Sequence, residues 1–181
     1  MMQKITQVTG KGIPLAMDDV DTDLIIPAQY LTAVTKEGYG ENLFRRLREA
    51  DSNFVFNQEK YIGANILLTK ANFGCGSSRE HAVWALQEAG IQAIVASSFA
   101  DIFFSNSAKN GLILIKLPEI TIDHMLKLAD TGNYHLTIDI EKQQITSSST
   151  EYFEFEMDLF QKYCFLNGLD DLDYLLNQQK K

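Results

Sequence analysis

The chain has 181 residues, 45% of them hydrophobic and 22% charged, with a formal net charge of −8. That size and balance predict one globular domain over residues 1–181 with a sizeable core, and the acidic balance argues against nucleic acid, which selects a basic face. No apolar run approaches the roughly 18 residues of a membrane span, and the opening Met-Met-Gln-Lys-Ile-Thr-Gln lacks the apolar stretch of a signal peptide, so a cytoplasmic protein is expected.

Residues 5–8 open as a strand and lead to Ile13-Pro14-Leu15. The acidic run from Asp18 to Asp23 imitates a calcium loop at Asp19, Asp21 and Asp23. Leu24 and Tyr30, however, stand where that loop needs Gly and Glu. Its Asp and Thr side chains are expected to close turns on the backbone instead. Residues 35–60 are mixed and polar, with a short helix over 41–50. The pattern then becomes regular. Apolar strands over 64–68, 93–96 and 112–115 alternate with helices over 78–89 and 100–110, which stop at Gly90 and Gly111. This alternation predicts an α/β fold with a parallel sheet and helices packed on it. Beyond Pro118, a helix over 120–129 precedes alternating strands over 134–140, 144–147 and 152–157. Asp158 caps a helix reaching Asn167, and a short helix over 172–177 follows. This part reads as a C-terminal hairpin and helix extension.

The junction Asn-Phe-Gly-Cys-Gly-Ser-Ser-Arg-Glu-His, residues 72–81, concentrates the chemistry. Ligands on parallel sheets bind at the carboxyl ends of strands, where this junction falls. Gly74 and Gly76 permit turns that a side chain would block. Ser77 and Ser78 are expected in the first turn of a helix, where free N–H groups favour an anion. Arg79 adds a planar donor fork suited to a carboxylate. The set predicts a site for a small carboxylic acid with a hydroxyl beside it. The plainer reading is a capping box between Ser77 and Glu80, and the two are compatible. A phosphate-cradling loop would need Gly-Lys-Ser/Thr, and a nucleophile elbow would need Gly in place of Arg79.

Cys75 with His81 leaves a cysteine nucleophile as a minor alternative, since a helix N-terminus lowers a thiol pKa. His81 and Trp84 read as structural, and Asp101 and Asn106 as groups that orient loops and helix ends. The only other cysteine is Cys164. Reduced thiols fit the cytoplasm, and two are too few to ligate an iron–sulfur cluster, so no metal is expected on this chain.

Residues 72–81, Asp21-Thr22-Asp23 with Ile25-Ile26-Pro27, and Ser97-Ser98-Phe99-Ala100-Asp101 with Asn106 and Gly111 stand in one family's order. The chain resembles the small subunit of 3-isopropylmalate dehydratase, of the aconitase family, over nearly its whole length, down to Cys164-Phe165-Leu166-Asn167-Gly168-Leu169-Asp170. The resemblance implies a swivelling α/β domain that closes over a large subunit carrying a [4Fe–4S] cluster, in a heterodimer or heterotetramer. It implies isomerisation of 2-isopropylmalate to 3-isopropylmalate through 2-isopropylmaleate, a step of leucine biosynthesis. It further implies Ser77 as the catalytic base, Gly76, Ser78 and Arg79 at the substrate, and Gln29, Tyr30, Leu31 and Thr32 around its variable group. Exposed apolar residues around Ile25, Ile26 and Tyr30 are expected to meet the partner or the substrate. Ala28 and Lys36-Glu37 depart from the family pattern, which leaves homoaconitate, citramalate or dimethylmalate chemistry as the alternative. A non-catalytic anion-binding module of the same fold is the alternative from a different class.

Overall fold

The computed structural model describes residues 2–31 and 37–180, so Thr32 and Lys36 lie outside the described residues. Seven strands, β1 (Gln7–Leu15), β2 (Ile66–Thr69), β3 (Ala93–Ala96), β4 (Ile113–Lys116), β5 (His135–Asp139), β6 (Gln144–Ser147) and β7 (Tyr152–Glu154), form one sheet in the order β4-β3-β2-β1-β5-β6-β7. The helices are α1 (Thr22–Ile25), α2 (Arg45–Ala50), α3 (Glu80–Glu88), α4 (Asp101–Lys109), α5 (Glu119–Ala129), α6 (Leu159–Asn167) and α7 (Asp171–Gln179). Short 3-10 turns fill the connections.

β1 is the pivot. Its residues 7–11 pair antiparallel with β5, and its residues 12–15 pair parallel with β2. The strand expected over residues 5–8 instead runs on to Leu15 and includes Pro14, a residue that central strands exclude. Its tolerance has a geometric reason. The Gly12 N–H donates to Tyr134 O at 2.8 Å, the last bond on the β5 side, and beyond it β1 has a neighbour only in β2. Pro14, two residues on, turns its missing N–H to that unpaired side.

β2 and β3 are buried at every position, and β4 at all but Lys116, which is why they read as unbroken apolar runs. Successive residues face opposite sides. Leu67, Ile94 and Leu114 share one core with Val83 and Leu86 of α3 and Phe103 of α4. Ile66, Leu68, Val95 and Ile113 share the other with Ile122, Met125 and Leu126 of α5. Progression from β2 to β4 in one direction keeps α3 and α4 on one face, while α5 returns over the opposite face to reach β5. The expected hairpin is a three-stranded antiparallel meander, continuous with β1 rather than a separate extension.

Among the described residues, 37–60 depart most from expectation. Tyr39, Leu43 and Phe44 are buried, and Phe54 and Phe56 pack beside them. These aromatics follow neither a helical nor a strand period, so no pattern announced them. α2 begins at Arg45, later than predicted, because Phe44 takes a left-handed backbone with φ 52°. A bulky residue is strained there. Burial holds it in place, as do its N–H bond to Ile25 O at 2.8 Å and a ring contact with Phe56 at 4.9 Å. Ile25 and Ile26, expected at an exposed surface, are wholly buried in the same core. The Asp21 carboxylate accepts from Leu24 N–H and caps α1, turning both isoleucines inward. Among the described residues no helix is long and apolar enough to cross a membrane.

Candidate functional site

Three loops leave the carboxyl ends of β1, β2 and β3 and are joined by main-chain bonds. Gly74 N–H donates to Val20 O at 2.7 Å and Thr22 N–H to Cys75 O at 2.9 Å. On the other flank, Phe73 N–H donates to Ser98 O at 3.2 Å and Ala100 N–H to Phe73 O at 3.0 Å. Side chains reinforce the seam. The Asp18 carboxylate accepts from Ala71 N–H, the Asn72 amide donates to Asp19, and Asn72 N–H donates to the Ser98 hydroxyl. The acidic run thus spends its carboxylates on backbone and loop cross-links. Among the described residues no cluster of three or more His, Cys, Asp or Glu could hold a metal ion.

The glycines fix the loop's path. Gly74 has φ +83°, and a Cβ there would lie 2.2 Å from Phe103 Cγ, so α4 packs directly on the loop. Gly76, at φ +90°, turns the chain so that Ser77 and Ser78 reach the surface. Thr22 Oγ1 donates to Ser77 O at 2.8 Å and pins the peptide that carries the first serine. Beside them opens a cavity of about 260 Å³, lined by Gly76, Ser77, Ser78 and Arg79 and by Asp101 and Asn106 of α4. The amino ends of α3 and α4 both border it, and neither has a side-chain cap at Arg79 or Ala100. Their first N–H groups therefore remain available to an anion.

Two expectations about this loop are corrected. α3 starts at Glu80, so Ser77 and Ser78 stand in the loop ahead of the helix and not in its first turn. The capping box is also absent, because the Glu80 carboxylate accepts from Asn110 Nδ2 at 2.8 Å. Cys75 is no activated thiol either. Burial first, then the charges of Asp21 and Asp19, push it above the ordinary thiol range. His81 lies edge-on to Tyr39 and Trp84, with centroids 5.3 and 5.0 Å away.

Arg79 is held firmly. Its Nη1 donates to Asp23 Oδ1 at 3.1 Å and to Ile26 O at 3.3 Å. Asp23 also accepts from Ala28 N–H at 3.2 Å and from Arg46. The Arg79 bond above all, then those from Arg46 and Ala28, hold the Asp23 carboxyl below the usual carboxylate range against its partial dehydration. Gln29, Tyr30 and Leu31 follow on the turn Ala28–Tyr30 and its end. Gln29 is exposed, while Tyr30 and Leu31 lean on the core. None of the three lines the cavity. Thr22 and Asp23 were missed as site holders, although they stand inside a motif already singled out, and Phe103 carries no sequence signal. A larger cavity, about 630 Å³, lies at the opposite end of the sheet beside Lys4, Gln92 and Lys109, and no residue of the 72–81 junction lines it.

The family model of the aconitase C-terminal domain matches residues 2–120. A protein of Francisella tularensis subsp. novicida, named 3-isopropylmalate dehydratase small subunit, is 50% identical, the match covering 97% of this chain and 92% of that protein. This chain belongs to the family of 3-isopropylmalate dehydratase small subunits. A further member of that name, from Paramagnetospirillum magneticum, is 46% identical across 99% of this chain and 92% of its own length. The crystal structure of a 3-isopropylmalate dehydratase from Methanocaldococcus jannaschii matches with a TM-score of 0.72 at 29% identity, covering 96% of this chain and 95% of that one. The α/β fold with its partly parallel sheet is thus the family's fold. The small-subunit residues matched by the aconitase model include every residue that lines the serine and arginine cavity.

Proposed function

We propose that this chain, as a small subunit of 3-isopropylmalate dehydratase, closes as one swivelling domain over a large subunit in the cytoplasm and isomerises 2-isopropylmalate by dehydration and rehydration. The carrying observation is the convergence of Ser77, Ser78, Arg79 and two uncapped helix starts on one cavity. The reaction removes a proton from a carbon beside a carboxylate, and Ser77 is the base. An aliphatic alkoxide exists only with several donors aimed at it in a water-poor site. The N–H groups at the starts of α3 and α4 supply donors, and Arg79 adds charge. Arg79 and Ser78 hold the substrate carboxylate, with Gly76 leaving room for close approach of the backbone. Gln29, Tyr30, Leu31 and Thr32 meet the isopropyl group once the large subunit completes the wall.

This chain does not fit an iron–sulfur cluster, with Cys75 only partly exposed and Cys164 buried, each pushed above the ordinary thiol range. The [4Fe–4S] cluster belongs in this reading to the large subunit, where it would supply a Lewis acid. The test is anaerobic co-expression with the large subunit, followed by turnover assays on 2-isopropylmalate, citramalate and homocitrate. Preferred turnover of 2-isopropylmalate supports the proposal. Preference for another diacid moves the substrate and keeps the reaction, and a stable complex that turns over none of them overturns the enzymatic reading.

A further inference from the structure

We infer that Arg46, from a stretch of sequence that carries no motif, is a positioning residue for substrate binding: it holds Asp23, and Asp23 in turn holds Arg79. The inference rests on the assignment of Arg79 to the substrate carboxylate. Asp23 divides its two oxygens between three segments. Oδ1 accepts from Arg79 Nη1 at 3.1 Å and from Ala28 N–H at 3.2 Å, while Oδ2 accepts from Arg46 Nη1. One carboxylate therefore joins the catalytic loop, the turn bearing Gln29 and Tyr30, and α2. Both bonds from the Arg79 side chain use Nη1, and the other edge of its fork bonds to no described residue. That edge is the one left for a ligand carboxylate.

Arg46 reaches Asp23 because of how α2 is mounted. Phe44 is fully buried, left-handed, and bonded through its N–H to Ile25 O, so α2 starts directly beside α1, whose helix contains Asp23. The pair itself is a poor stabiliser. The Arg46 and Asp23 side chains are 51% and 38% exposed, and ion pairs in such solvent contribute little to folding. Charge gives the pair a different use. Arg79 and Asp23 alone cancel, Asp101 lines the same cavity as Arg79 and Asp21 lies against Gly76, in a chain of net charge −8. Arg46 returns the triad to a net positive charge, which a dicarboxylate requires.

The test compares Arg46→Ala, Arg46→Lys, Asp23→Asn and the Asp23→Asn/Arg46→Ala double variant in the complex with the large subunit. Arg46→Ala is expected to raise KM for 2-isopropylmalate about tenfold with kcat little changed. Arg46→Lys should fall between it and the wild type, and Arg46→Ala should add nothing once Asp23 is Asn. An unchanged KM, or a fall in kcat that tracks a fall in thermal midpoint, overturns the inference. Nitrogen-15 spectra of the arginine side chains in the full chain provide a readout independent of turnover. The Arg79 Nε–H signal should be sharp in the wild type and broadened in Arg46→Ala, and an unaltered signal overturns the inference whatever the kinetics. A broadened signal in a protein whose wild-type complex turns over no isopropylmalate faults the proposed reaction and upholds the tether.

Discussion

On the β2–β4 side of β1, strands of four residues are buried on both faces, and their carboxyl ends emerge side by side. On the β5–β7 side, β5 alternates buried Leu136 and Ile138 with more exposed residues, β7 is largely open to solvent, and α7 buries nothing. The difference lies in strand direction. Parallel neighbours deliver successive loops to one edge, where the loops after β1, β2 and β3 cross-link into a single floor. An antiparallel meander sends alternate connections to opposite ends and assembles no such floor. The match to the aconitase model ends at residue 120, just past the parallel half. The site is a product of that half, and the meander completes the second core behind it.

Four measurements break or sharpen this contrast. The largest effect is expected for Ser77→Ala, about a thousandfold loss of kcat. Its thermal midpoint should stay at the wild-type value, because the exposed hydroxyl bonds to no described residue; retained activity would remove Ser77 as the base. Gly74→Ala places a methyl group 2.2 Å from Phe103 Cγ in a left-handed backbone and should cost about 3 kcal/mol in urea unfolding. A wild-type unfolding midpoint would show that the loop and α4 are not rigidly packed. Arg79→Lys keeps the charge but loses the fork. It should raise KM by roughly thirtyfold, equivalent to about 2 kcal/mol, and an unchanged KM would separate Arg79 from the substrate.

The smallest effect belongs to the meander. Burial alone would raise the Glu151 carboxyl, yet bonds from His124 and from Tyr134 OH at 3.0 Å outweigh it and hold the group below its usual range. A folded-state pKa below the unfolded one gives stability that is present above the unfolded pKa and lost as pH falls through the folded one. Glu151→Gln should therefore cost about 1 kcal/mol near neutral pH, shrinking toward zero below about pH 4, with kcat and KM unaltered. A kinetic effect of this variant would bring the meander into the site.

The sequence by itself determined the α/β class, the alternating strands and helices between residues 64 and 129, and the loop that bears Ser77 and Arg79. Apolar period, glycine stops and local turn chemistry are properties of neighbouring residues, so they can be read along the chain. The tertiary structure alone decided that β1 runs through Pro14, since a proline is admitted only where the neighbouring strand has ended. It alone sent Ile25 and Ile26 into the core and gathered Tyr39, Phe44, Phe54 and Phe56 around them, because isolated aromatics repeat at no period. The same holds for the grip on Arg79. Asp23 and Arg79 stand on opposite sides of β2 and meet only after β1 and β2 have paired, and the bonds of Asp23 to Arg79 and to Arg46 join residues too far apart to leave a periodic trace in the sequence.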